Sequence, residues 1–339
     1  MIPISQLISA EEVEKRLREV RNNRDLSCFD VVSIDNLNTD DVALILELAE
    51  VFKDSKSQKL SLLKGCSIIN AFFENSTRTR TSFELAGKHL GADTINISGG
   101  GSSIKKGESL IDTAETLAAL QPQLIIIRSE FSGIPAQLSG VIDSSIANAG
   151  DGWHEHPSQA LLDLKTISDH FEGDVKGKVV TLVGDIVHSR VFGSMVRLFN
   201  KVGIVLQVAC PRTFVPEQVE DAFDVKIFDN LENALPNSDV VYALRVQEER
   251  GSGGSIPSLR EYSKTFGITP KRLDMAKKGA ILMHPGPVIR DIDVHSALVT
   301  LDDRSRILDQ VENGMAVRAA IIWLLCDRID GKRKPFSHK

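Results

Sequence analysis

Eight short apolar runs, set apart by stretches with helical spacing, constrain this chain more than any other feature. The runs are Cys66–Phe73, Thr94–Ile97, Leu124–Arg128, Ser144–Ala149, Lys178–Val183, Val205–Cys210, Val240–Leu244 and Ala280–Met283. Each reads as a strand. Between most of them lie helical patterns, and that alternation is the signature of parallel sheets with crossover helices. One helix opens at Thr39-Asp40-Asp41, a good N-cap, and carries Val42, Ile45, Leu46, Ala49 and Phe52 at helical spacing. Another runs from Pro157 to about Phe171, with proline in its first turn. A third spans about Ile307 to Ile329, and Ser9 to Arg24 reads as a short amphipathic helix. At 339 residues the chain exceeds one typical domain. The predicted fold class is α/β: two domains, each a parallel β-sheet flanked by helices, with the active site in the cleft between them. The expected division is an N-terminal extension over 1–28, a first domain over 29–172 completed by the helix at 307–330, and a second domain over 173–306. The polar, Gly-containing stretch Gly173 to Gly177 marks the boundary.

Charge and composition narrow the function classes. The net charge of −6 is mixed along the chain, which gives no reason to expect nucleic acid or membrane as a partner. No run of about 18 apolar residues is present, and the first residues lack a secretory pattern, so a cytoplasmic location is expected. Cys28, Cys66, Cys210 and Cys326 show no CxxC spacing, so reduced thiols are expected rather than a zinc site.

The most informative stretch is Glu74-Asn75-Ser76-Thr77-Arg78-Thr79-Arg80-Thr81-Ser82-Phe83-Glu84, where the first strand gives way to a helix. A helix start leaves N–H groups without intrahelical acceptors and carries partial positive charge, which favours an anion. Ser76, Thr77 and Thr79 can donate to phosphate oxygens, and Arg78 can fork onto two of them. The competing reading is an ordinary N-cap with surface arginines.

Polar residues recur where strands end. Arg128 follows Leu124–Ile127, and His156 and Gln159 follow Ser144–Ala149. Asp185 and Arg190 follow Lys178–Val183, Arg245 and Gln247 follow Val240–Leu244, and His284-Pro285-Gly286-Pro287 follow Ala280–Met283. Ligands of open parallel sheets bind beyond the carboxyl ends of the strands. A surface ion pair is the plain reading of any single arginine, but six such clusters at one edge describe a cleft rich in positive charge. No general-base carboxylate and no Ser or Cys paired with His is evident. That points to multiply anionic substrates and to catalysis by positioning and charge stabilisation. His154-Glu155-His156 as metal ligands is disfavoured because no third ligand is near. Val183 to Ser189 resembles a dinucleotide turn but lacks G-x-G-x-x-G.

Taken together, Phe72 to Arg80, His156-Pro157-Ser158-Gln159, Arg245-Val246-Gln247-Glu248-Glu249-Arg250 and His284-Pro285-Gly286-Pro287 resemble the aspartate/ornithine carbamoyltransferase family, and its aspartate branch in particular. The resemblance covers roughly Ser33 to Arg328. It implies that Ser76, Thr77, Arg78 and Thr79 bind the phosphate of carbamoyl phosphate. It implies that Arg128, His156 and Thr79 polarise the carbonyl oxygen, and that Arg78, Thr79, Arg128 and His156 are the catalytic set. Gln159 and the backbone carbonyls of Pro285 and Gly286 would hold the carbamoyl NH2. Arg190, Arg245 and Gln247, with Lys106, would grip the carboxylates of aspartate. Ser102 and Lys106 match a loop that in this family reaches the neighbouring subunit's site, which implies a homotrimer with shared sites. By the same resemblance the first domain binds carbamoyl phosphate, the second binds aspartate, and the product serves de novo pyrimidine (UMP) biosynthesis. No metal or organic cofactor is implied, and a regulatory chain or another pyrimidine enzyme as a further partner is left open.

The residues suit that chemistry. An attacking amine creates a tetrahedral oxyanion, for which Arg128, His156 and the Thr79 hydroxyl are suitable donors. The departing phosphate can accept the amine proton, which accounts for the missing base. Ornithine would call for an acidic partner, and the family's ornithine enzymes usually carry a Cys-containing motif where this chain has His284-Pro285-Gly286-Pro287, whereas Arg190, Arg245 and Lys106 match a dianion. Three departures from the family pattern stand out: Val191 after Arg190, Ser158 in the His-Pro motif, and Ile289 where Asn is frequent. The rival readings are a carbamoyltransferase with another acceptor amine, and a non-catalytic paralogue that only assembles with other enzymes.

Overall fold

The computed structural model describes residues 9–55, 58–98, 109–246, 258–300 and 302–329. The chain divides into two compact units, Met1–Leu162 together with Glu312–Lys339, and Asp163–Val311. This division falls inside the helix Pro157–His170.

The first unit is built on four parallel strands, β1 Ser67–Phe72, β2 Asp93–Ser98, β3 Leu124–Ser129 and β4 Ser145–Asp151, in the order β2-β1-β3-β4. Its helices are α1 Ala10–Arg21, α2 Thr39–Asp54, α3 Thr77–His89, α4 Leu110–Ala118, α5 Ile134–Ser139 and the opening of α6 Pro157–His170. The central strand β3 buries Leu124, Ile125, Ile126 and Ile127 on both faces, as a parallel sheet covered on two sides requires. The edge strand β2 is largely exposed, and its Ile95 lies open. The cap of α2 is Asn38 rather than Thr39. Its side chain accepts from Asp41 N while Asp41 accepts from Asn38 N, a reciprocal capping box.

The N-terminal stretch is a working part of this unit. Val13 and Leu17 of α1 are fully buried. Arg21, 2% exposed, lies over the Trp323 ring at 4.8 Å and donates from Nη1 to Asp327 Oδ2 at 3.2 Å. Those partners come from the last helix of the chain, Ile307–Cys326, and the residue just after it. Within that helix Val317, Ala320, Ile321, Trp323 and Leu324 are buried, and Trp323 meets Phe52 of α2 edge-on at 6.1 Å.

The second unit holds five parallel strands in the order β7-β6-β5-β8-β9. In chain order its elements are β5 Val179–Val183, α7 Arg190–Val202, β6 Val205–Ala209, α8 Val219–Ala222, β7 Val225–Phe228, α9 Leu231–Ala234, β8 Val240–Ala243, α10 Leu259–Phe266, α11 Pro270–Leu273, β9 Ile281–Met283 and α12 Ser296–Thr300, leading into α13 Ile307–Cys326. Strand β7 has no counterpart among the eight predicted runs. It is a four-residue edge strand with Lys226 exposed at its centre, so it carries neither the length nor the apolar density of the others.

Candidate active site

In the first unit β1, β3 and β4 are neighbours and parallel, so the segments that leave their carboxyl ends lie at one edge of the sheet. After β1 comes Glu74, then Ser76 at the N-cap of α3 with extended backbone, φ −157° and ψ 100°. The Ser76 hydroxyl makes no capping bond, and the first turn of α3 has no acidic residue. Elsewhere the caps are used. Ser9, Asn38, Ser109, Ser189, Asn230, Ser258 and Thr269 each accept from an N–H of their own first turn. The start of α3 therefore gets no bond from its own N-cap side chain and no acid from its first turn, and a helix start carries partial positive charge. Thr77 and Arg78 are exposed and Thr79 is buried.

Arg128 ends the apolar part of β3 and links both neighbouring strand ends. Its Nη1 donates to the carbonyl of Ala149 at 3.0 Å, and its Nε lies 3.4 Å from Glu74 Oε2. Its own carbonyl accepts from Phe73 N at 2.9 Å. A guanidinium fixed at two points presents its remaining N–H groups in a set direction.

His156 and Gln159 come after β4, both buried, with Gln159 N donating to the His156 carbonyl at 2.9 Å. Two carboxylates hold the segment that leads to them. Asp151 accepts from Asn148 Nδ2, Gly133 N and Glu155 N at 2.8, 2.6 and 3.1 Å. Glu155, fully buried, accepts from the Ser33 hydroxyl and from Ile34 N. At Gly152 (φ +47°) an added Cβ would sit 2.7 Å from Ser132 N, so only glycine lets the loop pass there. Glu155 thus serves as a structural acceptor, and His154 faces Asp151 at 3.1 Å. Among the described residues no group of three or more His, Cys, Asp or Glu could hold a metal.

In the second unit β5, β8 and β9 are adjacent, so Arg190, Arg245 and the Pro285-Gly286 turn share one sheet edge. The β5 strand turns at Gly184, φ +127°, where a Cβ would come within 2.8 Å of Tyr262 Oη and 3.2 Å of Leu244 Cβ. Asp185, fully buried, then accepts from His188 N at 3.1 Å and pairs with His188 Nδ1 at 2.7 Å. Arg190, 5% exposed, opens α7 behind its cap Ser189, which accepts from Phe192 N at 3.3 Å. Arg245 is half-buried just beyond β8. Gly286 adopts φ +66°, and its N–H donates to His284 Nδ1 at 2.8 Å. Gln247, Ser102 and Lys106 lie outside the described residues.

Burial pushes the thiols of Cys28 and Cys210 up to about 12, with Asp41 and Asp185 respectively adding to the effect. It also raises Cys66 and Cys326, so none of the four is a thiolate nucleophile at neutral pH. Burial likewise raises the Tyr262 phenol well above its ordinary value.

Sequence reasoning passed over Asp151, Asp163 and Asp293, all 2% exposed or less. Asp163 accepts from Tyr242 Oη at 2.9 Å and Gln310 Nε2 at 2.7 Å, and Gln310 Oε1 accepts from His284 N at 2.9 Å. A readable signal existed for Asp163 alone. A carboxylate set in Leu161-Leu162-Asp163-Leu164 is bound to be buried, and buried carboxylates require donors.

Comparison with known proteins identifies the family. Residues 30–169 match the family described as aspartate/ornithine carbamoyltransferase, carbamoyl-P binding domain, and residues 176–325 match its Asp/Orn binding domain. The aspartate carbamoyltransferase catalytic subunit of Syntrophotalea carbinolica is 47% identical over 87% of this chain and 94% of its own length. That of Acetivibrio thermocellus is 45% identical over 91% and 98%. Among solved structures, aspartate transcarbamoylase from Trypanosoma cruzi in complex with N-(phosphonacetyl)-L-aspartic acid is similar with a TM-score of 0.77 and 30% identity, over 87% of this chain and 94% of that one. Ornithine carbamoyltransferase from Thermus thermophilus shares the fold, with a TM-score of 0.79 at 24% identity over 88% and 99%. On the family matches and the relatives' identity, the chain belongs to the aspartate/ornithine carbamoyltransferase family.

Proposed function

We propose that the protein transfers the carbamoyl group of carbamoyl phosphate to the amine of L-aspartate, giving N-carbamoyl-L-aspartate and phosphate, in de novo pyrimidine biosynthesis. The observation that carries this reading is the start of α3, where, alone among the long helices of the described residues, a Ser N-cap is unused and is followed by Thr77, Arg78 and Thr79. Such a start suits a phosphate, and the charge that grows on that phosphate as the C–O bond breaks strengthens the attraction in the transition state.

Ser76, Thr77, Arg78 and Thr79 take the phosphate. Arg128, His156 and the Thr79 hydroxyl donate to the carbonyl oxygen as it becomes an oxyanion. Gln159 and the carbonyls of Pro285 and Gly286 hold the carbamoyl NH2, which fixes the face open to attack. Arg190 and Arg245, with Gln247 and Lys106, take the two carboxylates of aspartate, where a bidentate guanidinium fits each. The leaving phosphate accepts the amine proton, so no side chain need act as base. The relatives that are 44–47% identical are aspartate carbamoyltransferase catalytic subunits, which supports aspartate as the acceptor. Solved relatives hold carbamoyl phosphate and aspartate.

A colorimetric assay for carbamoyl-aspartate, with carbamoyl phosphate and L-aspartate and with L-ornithine as control, tests the reading. Product from aspartate alone is expected; product from ornithine alone would overturn the acceptor assignment.

Ser102 and Lys106 are assigned to a neighbouring subunit's site within a homotrimer. Lys106→Ala and Arg78→Ala proteins, each strongly impaired alone, should on mixing regain activity beyond the sum of the two. Failure after verified subunit exchange would refute sharing.

A further inference from the structure

We infer that Asp293 is a positioning residue for this transfer. Its buried carboxylate holds in one conformation both the turn that offers the Pro285 and Gly286 carbonyls and the strand end that carries Arg245. The inference rests on the proposed function and adds to it a residue that contacts neither substrate.

Three donors converge on this carboxylate. Oδ2 accepts from Ile289 N at 3.0 Å and lies 3.3 Å from His284 Nε2. Oδ1 accepts from Val246 N at 3.4 Å. The ring between them has a defined tautomer. His284 Nδ1 accepts from Gly286 N–H, so it carries no proton, and the ring proton sits on Nε2 facing Asp293. The turn 284–289 is therefore closed on one carboxylate from both ends, by the His284 ring at its start and the Ile289 amide at its end. Among the described residues no backbone N–H donates to the carbonyl of Pro285 or of Gly286.

The same carboxylate reaches the residue after Arg245. Val246 is fully buried, so the backbone direction there sets where the Arg245 side chain leaves the sheet edge. Asp293 is itself anchored. Its carbonyl accepts from Ile268 N at 2.9 Å, and Ile268 O accepts from His295 N at 2.8 Å. The backbone of His284 is held separately through Gln310 and Asp163. What Asp293 adds is control of the ring, the end of the turn and the neighbouring strand end. Such control matters because a misplacement of about 1 Å at reacting groups costs on the order of a hundredfold in rate.

Asp293→Asn tests this. An amide has one acceptor oxygen for three converging donors, so at least one donor meets an NH2 group. The expected result is a kcat lower by about ten- to a hundredfold and a raised KM for L-aspartate, with the Kd for inorganic phosphate, read on the first unit, unchanged. His284→Asn keeps an acceptor for Gly286 N–H but is too short to reach Asp293. It should lose less, and the double variant should fall no further than Asp293→Asn, because both changes cut one link. If Asp293→Asn fails to fold, His284→Asn decides alone: a lower kcat at unchanged phosphate affinity supports the assignment, and wild-type kcat overturns it. Wild-type kinetics in both variants, losses that multiply in the double variant, or phosphate affinity lost in parallel with activity would each overturn it. Absence of L-aspartate turnover in the wild-type protein would overturn the proposed function as well, whereas turnover there with unaffected variants sinks only Asp293.

Discussion

The candidate phosphate cluster of the first unit and the candidate residues of the second unit are built in opposite ways. The former gathers Ser76 to Thr79 on consecutive positions of one helix start, two of them exposed, while Arg128, His156 and Gln159 of the same unit come from strand ends. The second draws Arg190, Arg245, Pro285 and Gly286 from three separate strand ends and secures the last two of those ends with a buried carboxylate. A helix start needs no elaborate support, since its backbone supplies the charge. A constellation of side chains and carbonyls from distant segments has to be held in register by groups that never meet a ligand.

The largest effect expected is on the first unit's side of that contrast. Arg78→Ala should lose about 3 kcal/mol of transition-state stabilisation, on the order of a hundredfold in kcat/KM, with phosphate affinity falling alongside. Because Arg78 is exposed, stability should hold. Normal kinetics would break the comparison, since the helix start would then not be the anion site. Next comes Gly184→Ala in the second unit, where φ +127° and the approach to Tyr262 and Leu244 forbid a side chain. About 1–3 kcal/mol of stability should be lost, read as a lower urea midpoint, and an unchanged midpoint would show that the turn can relax.

A pair of serines sharpens the contrast further. Ser189→Ala removes a working cap and should cost about 1 kcal/mol. Ser76→Ala removes a hydroxyl that caps nothing, so stability should be kept while phosphate binding weakens. Equal destabilisation by the two would mean that Ser76 serves the helix rather than a ligand. The smallest effect concerns His89, buried with Nε2 at 2.9 Å from Ser55 Oγ. Burial lowers its pKa below the ordinary 6.5, so on acidification the unfolded chain takes up a proton that the folded one refuses. Its contribution is complete above about pH 6.5 and is lost as pH falls from there towards the folded value. A His89→Gln variant should show a flatter decline in stability between pH 7 and 5, and parallel curves would dismiss the effect.

The same contrast explains how much was legible from the residues alone. The start of α3 was legible because its chemistry is contiguous, and the alternation of apolar runs gave all four strands of the first sheet and four of five in the second. Strand β7 escaped because edge exposure and Lys226 erase its pattern. Asp151 and Asp293 escaped because a buried carboxylate at a strand end or in a loop looks like any surface Asp until the amides around it are known. The cap of α2 was misplaced by one residue because Asn38 and Thr39 are both good caps, and only the reciprocal bond with Asp41 separates them.

The last helix bears on the order of assembly. Its Val317, Ala320, Ile321 and Trp323 complete a core whose other members include Val13 and Leu17, while residues 163–311 form a continuous stretch of their own. During synthesis the earlier residues must therefore wait, their apolar faces uncovered, until some 150 further positions have been made. The unit that is second in sequence can close first, and the first closes last, when Trp323 arrives beneath Arg21. A nascent chain stopped before residue 312 should accordingly show a protease-resistant second unit and a first unit that is still cut.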